Sequence, residues 1–131
     1  MNFNLTDEQR MIQELARDFA TDVLAPAAPI IDQTEEYPFE NCRKMGELGL
    51  MGIEVPEEDG GTGADTVSYV VALEEVSKAC ASTGTIMSVN NSLVCHGLVK
   101  CATPEQREKY LRPAASFEHI GTFCLSEPEA G

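Results

Sequence analysis

Apolar positions along this 131-residue chain recur with a helical period in successive stretches, and turn residues interrupt the pattern between them. Ile12, Leu15, Ala16, Phe19 and Val23 fall at i, i+3, i+4, i+7 and i+11, one face of a helix. Arg10, Gln13, Glu14, Arg17 and Asp18 take its wet side. Thr6-Asp7-Glu8-Gln9 opens this helix as a capping box, and Pro26 and Pro29 are predicted to stop it. A second helix is expected from Pro38 to Gly49, burying Phe39, Cys42, Met45 and Leu48. Leu50 to Asp65 reads as a loop, with tight turns of positive φ at Gly60-Gly61-Thr62-Gly63. Asp65 then caps a third helix reaching Ala81, with Val67, Val70, Val71, Val76 and Cys80 inside. A fourth, from Thr85 to Val99, is apolar on nearly every side, broken only by Ser88, Asn90, Asn91 and Ser92. Such a helix belongs in the middle of something larger. Thr103-Pro104-Glu105-Gln106 is a second capping box, opening a short helix to Arg112. From Ile120 to Ser126 the period changes to that of a strand, and no other stretch reads as its partner.

The predicted fold is therefore all-α, a bundle of five to six helices with one strand at its carboxy end. At 43% apolar and 24% charged, the chain can bury a modest core and is neither disordered nor membrane-spanning. Nine basic residues face 22 acidic ones, net −13, which repels nucleic acid phosphates and anionic lipids; neither is expected as a partner. Cys42, Cys80, Cys95, Cys101 and Cys124 show no CxxC pair or metal-ligand rhythm. Reduced, buried thiols are expected, and no metal site. The N-terminus lacks the basic start and apolar core of a secretory signal, so a cytoplasmic setting is expected. Gly60-Gly61-Thr62-Gly63 lacks the Lys-Ser/Thr of a phosphate loop and reads as a turn.

Five segments in order resemble the amino-terminal part of the acyl-CoA dehydrogenases. They are Phe3 to Gln9, Met45 to Ile53, Pro56 to Gly63, Thr103 to Leu111, and Phe123-Cys124-Leu125-Ser126-Glu127-Pro128-Glu129-Ala130-Gly131. The last of these is specific, and it stops within what reads as a ligand-binding element. The resemblance implies a helical domain over residues 1–116 and the start of a central β-domain over 117–131, with further domains in a longer parent. It also implies FAD as cofactor and an acyl-CoA as substrate. The reaction would be α-proton abstraction by a glutamate with β-hydride transfer to the flavin. That glutamate lies far downstream in the family, so no catalytic residue is expected here and residues 1–131 alone should be inactive.

By the same resemblance Phe123, Cys124, Leu125 and Ser126 contact the flavin. Ile86, Val89, Asn90 and Leu93, at i, i+3, i+4 and i+7, share a helix face that closes the far end of the acyl pocket. The stretch from Ile86 to Leu93 looks most like short-chain, butyryl-type members, with a helix start one residue shorter than in medium-chain relatives. Bulk at Ile86 and Val89 leaves room for fewer methylenes, and the same residues equally suit a plain core. An electron-transfer flavoprotein is the implied electron acceptor, docking in a groove near Ile12, Leu50 and Ala72. A homo-oligomer, a tetramer in the family, is implied too, and the mitochondrial matrix is the implied setting for a processed member. An acyl-CoA oxidase, a branched-chain dehydrogenase and a non-catalytic helical interaction module remain alternative readings. Alone, the bare apolar helix and unpartnered strand should favour self-association.

Overall fold

The computed structural model describes residues 3–130; Gly131, last of the closing motif, lies outside them. Among the described residues the chain forms five continuous helical rods and no strand. The first rod begins at Asp7 under the expected capping box: Thr6 Oγ1 accepts from the Gln9 N–H at 3.2 Å, and Gln9 Oε1 accepts from the Thr6 N–H at 2.9 Å. Helix α1 (Asp7–Phe19) does not stop at Pro26 or at Pro29. It runs through a π segment (Ala20–Leu24) into α2 (Ala25–Thr34) and ends where Glu35 turns left-handed. The correction has a local cause. The π segment's bonds reach back five residues, and Pro26, which lacks an N–H, sits in the first turn that follows it.

Helix α3 spans Phe39–Glu47 and buries Cys42 and Met45, but Phe39 and Leu48 are half-exposed. The following loop, 50–65, holds a 3-10 turn (Glu57–Asp59), and Gly60 and Gly63 take the expected positive φ, 88° and 69°. Its apolar residues Leu50, Met51, Ile53 and Val55 are all buried, which periodicity could not foresee. Leu50, Met51 and Ile53 belong to the main core with the first four rods, and Val55 belongs to a smaller cluster with Cys95, Leu111, Ala114 and Ala115.

Helix α4 (Thr66–Ala79) is capped by Asp65, whose Oδ1 accepts from the Ser68 N–H at 2.8 Å. Its other oxygen accepts from Gln9 Nε2 at 2.7 Å, so the starts of α1 and α4 are tied together. The inward face of α4 carries Ser68, Tyr69, Ala72, Glu75 and Val76, while the expected core residues Val67 and Val70 point outward. The polar members of that face explain the turn of the helix. Glu75 is buried yet accepts from Lys78 of its own helix at 3.4 Å and from Arg17 at 3.0 Å and Gln13 at 3.2 Å, the last two available only where α4 meets α1.

After Cys80 the chain enters α5 (Ala81–Ser88), four residues earlier than periodicity implied. A π segment (Val89–Cys95) and α6 (His96–Cys101) continue this rod. Thr103 caps α7 (Pro104–Gln106) with the second capping box, and a π segment (Arg107–Leu111) leads into α8 (Arg112–Ala115). Residues 120–126 form no ladder, which corrects the expected strand. A strand is stabilised by cross-strand pairing, and no partner strand lies among the described residues.

Arg17 holds the Glu75 carboxyl below its ordinary range, with Lys78 assisting against burial, and the Ser68 N–H does the same for Asp65. Carboxylates lowered on folding stabilise the native state above their unfolded values of about pH 4 and lose that contribution as pH falls through the lowered ones. Glu75→Gln should therefore cost about 1–2 kcal/mol near neutral pH and flatten the acid limb of the urea-midpoint profile. A variant profile parallel to wild type below pH 4 would show that Glu75 contributes nothing.

Candidate functional site

Two adjacent amides organise the centre of the molecule. Asn90 Nδ2 donates to the Met51 carbonyl at 2.7 Å and the Ala114 carbonyl at 3.0 Å. Asn91 Nδ2 donates to the Leu50 and Met87 carbonyls, both at 3.0 Å, and its Oδ1 accepts from the Ile53 N–H at 2.9 Å. Neighbouring positions on a regular α-helix do not face the same way. The wide π segment over Val89–Cys95 accompanies the inward turn of both. The clamp fixes α5 against the buried loop, and the Tyr69 hydroxyl adds a bond to Ser88 Oγ at 3.2 Å.

What this rod presents is one wall of an apolar cavity of about 300 Å³. Thr85, Ile86, Val89 and Asn90 line it from α5 and the π segment, and Phe117 with residues 120–123 line it from the carboxy-terminal segment; Tyr37 completes it. The segment lies close because residue 121 is glycine, where a Cβ would meet Val94 Cγ1 at 2.4 Å. Phe117 is the pivot. It adopts φ 58°, unusual for a bulky residue, and its N–H donates to the Ala114 carbonyl at 3.1 Å. Its buried ring packs against Phe39, centroids 6.2 Å apart, which offsets the backbone cost.

The structure thus brings three of the four expected pocket residues, Ile86, Val89 and Asn90, to the same cavity as Phe123 of the closing motif. Leu93 does not line it and is 42% exposed, because the π segment rotates it off the face that i+7 spacing implies. Cys124, Leu125 and Ser126 lie exposed beyond the cavity. Sequence reasoning missed Tyr37 and Phe117, which sit outside any periodic stretch. Leu50 and Ala72, expected beside a docking groove, are buried in the main core, and Ile12 is partly buried against the same core.

Backbone groups of residues 120–126 make no hydrogen bond among the described residues. With the Ser126 hydroxyl they form a line of free donors and acceptors next to exposed apolar Phe123 and Leu125. That donor set fits the polar edge and flat face of an isoalloxazine ring. Among the described residues no group of His, Cys, Asp and Glu could hold a metal ion, and no helix is long and apolar enough to cross a membrane.

The fourth rod and the trailing segment thus share one half-open apolar cavity, a concave and mostly apolar shape of the kind small ligands use. The chain belongs to the acyl-CoA dehydrogenase family: the model of its N-terminal domain matches residues 6–118. It is 47% identical over its full length to the short-chain specific acyl-CoA dehydrogenase of Clostridium acetobutylicum, covering 35% of that protein. Among solved structures, that of the electron transferring flavoprotein of Acidaminococcus fermentans matches with TM-score 0.94 and 44% identity, covering all of this chain and 34% of that one. Butyryl-CoA dehydrogenase from Megasphaera elsdenii matches with TM-score 0.91 and 36% identity, covering all of this chain and 35% of that one. The chain spans about a third of the length of these relatives.

All five cysteines are free, but only three are buried as expected. Burial pushes the Cys95 thiol up to about 12; it does the same to Cys42, with Cys80 nearby adding to the effect. Burial also acts upward on Cys80, but the Ser82 and Thr83 hydroxyls and N–H groups together bring it below the ordinary thiol range. Titration of the native protein with a thiol reagent should label Cys101 and Cys124 quickly and Cys42 and Cys95 only on unfolding. Rapid labelling of Cys42 or Cys95 would contradict the packing described.

Proposed function

We propose that this chain is the amino-terminal helical part of an FAD-dependent short-chain acyl-CoA dehydrogenase. The observation that carries the reading is the shared cavity, which joins the bulky face of α5 to the closing motif in one apolar space. Residues 1–116 form the helical domain, and 117–131 begin the β-domain. Ile86, Val89 and Asn90 close the distal end of a short acyl chain, with Leu93 supporting the rod from outside. Phe123, Cys124, Leu125 and Ser126 meet the flavin through backbone groups, the Ser126 hydroxyl and apolar contact.

FAD, when bound, supplies the acceptor for the hydride removed from the acyl β-carbon. This chain's share is to bind, orient and keep water out. Thr85, Ile86, Val89 and Phe117 offer a dry wall that favours a compact acyl group, each buried methylene contributing about 0.8 kcal/mol. The α-proton is removed by a carboxylate outside residues 1–131, so these residues alone are inactive. An electron-transfer flavoprotein as acceptor and a homo-oligomeric assembly follow the family. Five free thiols suit a reducing compartment, the cytoplasm or the mitochondrial matrix.

The test is the chain-length profile of the full protein carrying this chain, purified with FAD. Wild type should act best on butyryl-CoA and fall steeply by octanoyl-CoA. Ile86→Ala with Val89→Ala should raise the octanoyl-to-butyryl ratio of kcat/KM by about tenfold or more. An unchanged ratio in a folded double variant would make these residues core only.

A further inference from the structure

The 300 Å³ cavity has a neighbour. An open groove of about 1030 Å³ runs between the end of α2 and the start of α5, its lining apolar at Ala28, Ile31 and Ala81 and acidic at Asp32, Glu35 and Glu36. The two spaces share three residues: Tyr37, Thr85 and Ile86. Thr85 turns its hydroxyl onto its own helix, donating to the Ala81 carbonyl at 3.1 Å, and so leaves its methyl for the wall. Ile86 is fixed with α5 by the Asn91 clamp. Tyr37 is different in kind. It stands on the connection between α2 and α3, outside the rod, and supplies the one ring in the shared wall.

That ring is held in place from two sides. It packs against Phe39, centroids 6.3 Å apart at 58°, and Phe39 in turn packs against buried Phe117. Its hydroxyl faces the Cys42 thiol; burial, with that thiol, pushes the phenol up to about 12, although the residue as a whole is 48% exposed.

Building on the acyl-pocket reading, we propose that Tyr37 is the partition that sets the upper limit of acyl length. With its ring in place the acyl chain ends against Tyr37 and Ile86. Without it the cavity opens into the groove, and further methylenes extend along α2 toward Ala28. The limit is set by two walls on different elements: Ile86 from the rod and Tyr37 from the connection opposite.

The experiment uses the full protein with FAD and acyl-CoA substrates from butyryl to decanoyl. Tyr37→Ala should raise the octanoyl-to-butyryl ratio of kcat/KM by about tenfold or more, while Tyr37→Phe, which keeps the ring, stays within about twofold of wild type. Adding Ala28→Phe, which fills the groove beyond the partition, should remove the gain of Tyr37→Ala and leave butyryl activity unchanged. If Tyr37→Ala melts too low to assay, Tyr37→Val gives the same readout. A folded Tyr37→Ala or Tyr37→Val with a wild-type ratio overturns the partition. So does a gain that survives Ala28→Phe. Wild type that oxidises none of these substrates would defeat the acyl-pocket reading itself, a result separable from either.

Discussion

Everything in this domain leans on the pair of amides at Asn90 and Asn91. Loop 50–55 runs through the interior with irregular backbone, and buried backbone groups need partners that no helix or sheet supplies there. The two side chains provide some of them, taking the Leu50 and Met51 carbonyls and the Ile53 N–H, and Asn90 also ties in the Ala114 carbonyl of α8. Each orphaned group would cost about 1–3 kcal/mol, so losing a multiply bonded amide rivals a large core truncation. Both Nδ2 atoms face carbonyl pairs, which also sets the orientation of each amide. The π widening of the rod follows from the same demand, since two successive residues must face inward together.

The clamp has a functional consequence. Because α5 is seated on the loop, Ile86 and Val89 are presented on a rigid helix rather than on a mobile connection. The opposite wall is held by the aromatic series Tyr37, Phe39 and Phe117 and by the close approach of Gly121 to Val94. Shape selection in an apolar cavity depends on walls that do not yield, and both walls here are tied to the core by packing or hydrogen bonds. The polar side of the site is left to the extended segment 120–126, whose backbone is free for a partner outside the domain.

Local chemistry was legible in the sequence where one residue type has one use. Thr6 with Gln9, Asp65, and Thr103 with Gln106 all cap the helices they were expected to cap. Gly60 and Gly63 turn where glycine is needed. Tertiary structure overrode the rest. Val67 and Val70 face outward because Glu75 must meet Arg17, and side-chain pairing across helices leaves no periodic trace. Pro26 did not end its rod, because a π segment had already changed the bonding register. Asn90 and Asn91 read as interruptions of an apolar helix, whereas their long-range partners make them its anchor. Of the residues that line the cavity, Ile86, Val89, Asn90 and Phe123 were the ones family resemblance singled out. Leu93 fell away with the π segment, and Tyr37 and Phe117 carried no periodic signal.

Native-state amide hydrogen exchange in Asn91→Ala tests the central claim most directly. Ile53 donates its N–H to Asn91 Oδ1, so its protection relative to α1 reports the clamp. The account predicts that Ile53 exchanges at least about tenfold faster relative to the amides of α1, as a local opening rather than a global loss. Equal acceleration at Ile53 and throughout α1, or none at Ile53, would contradict it.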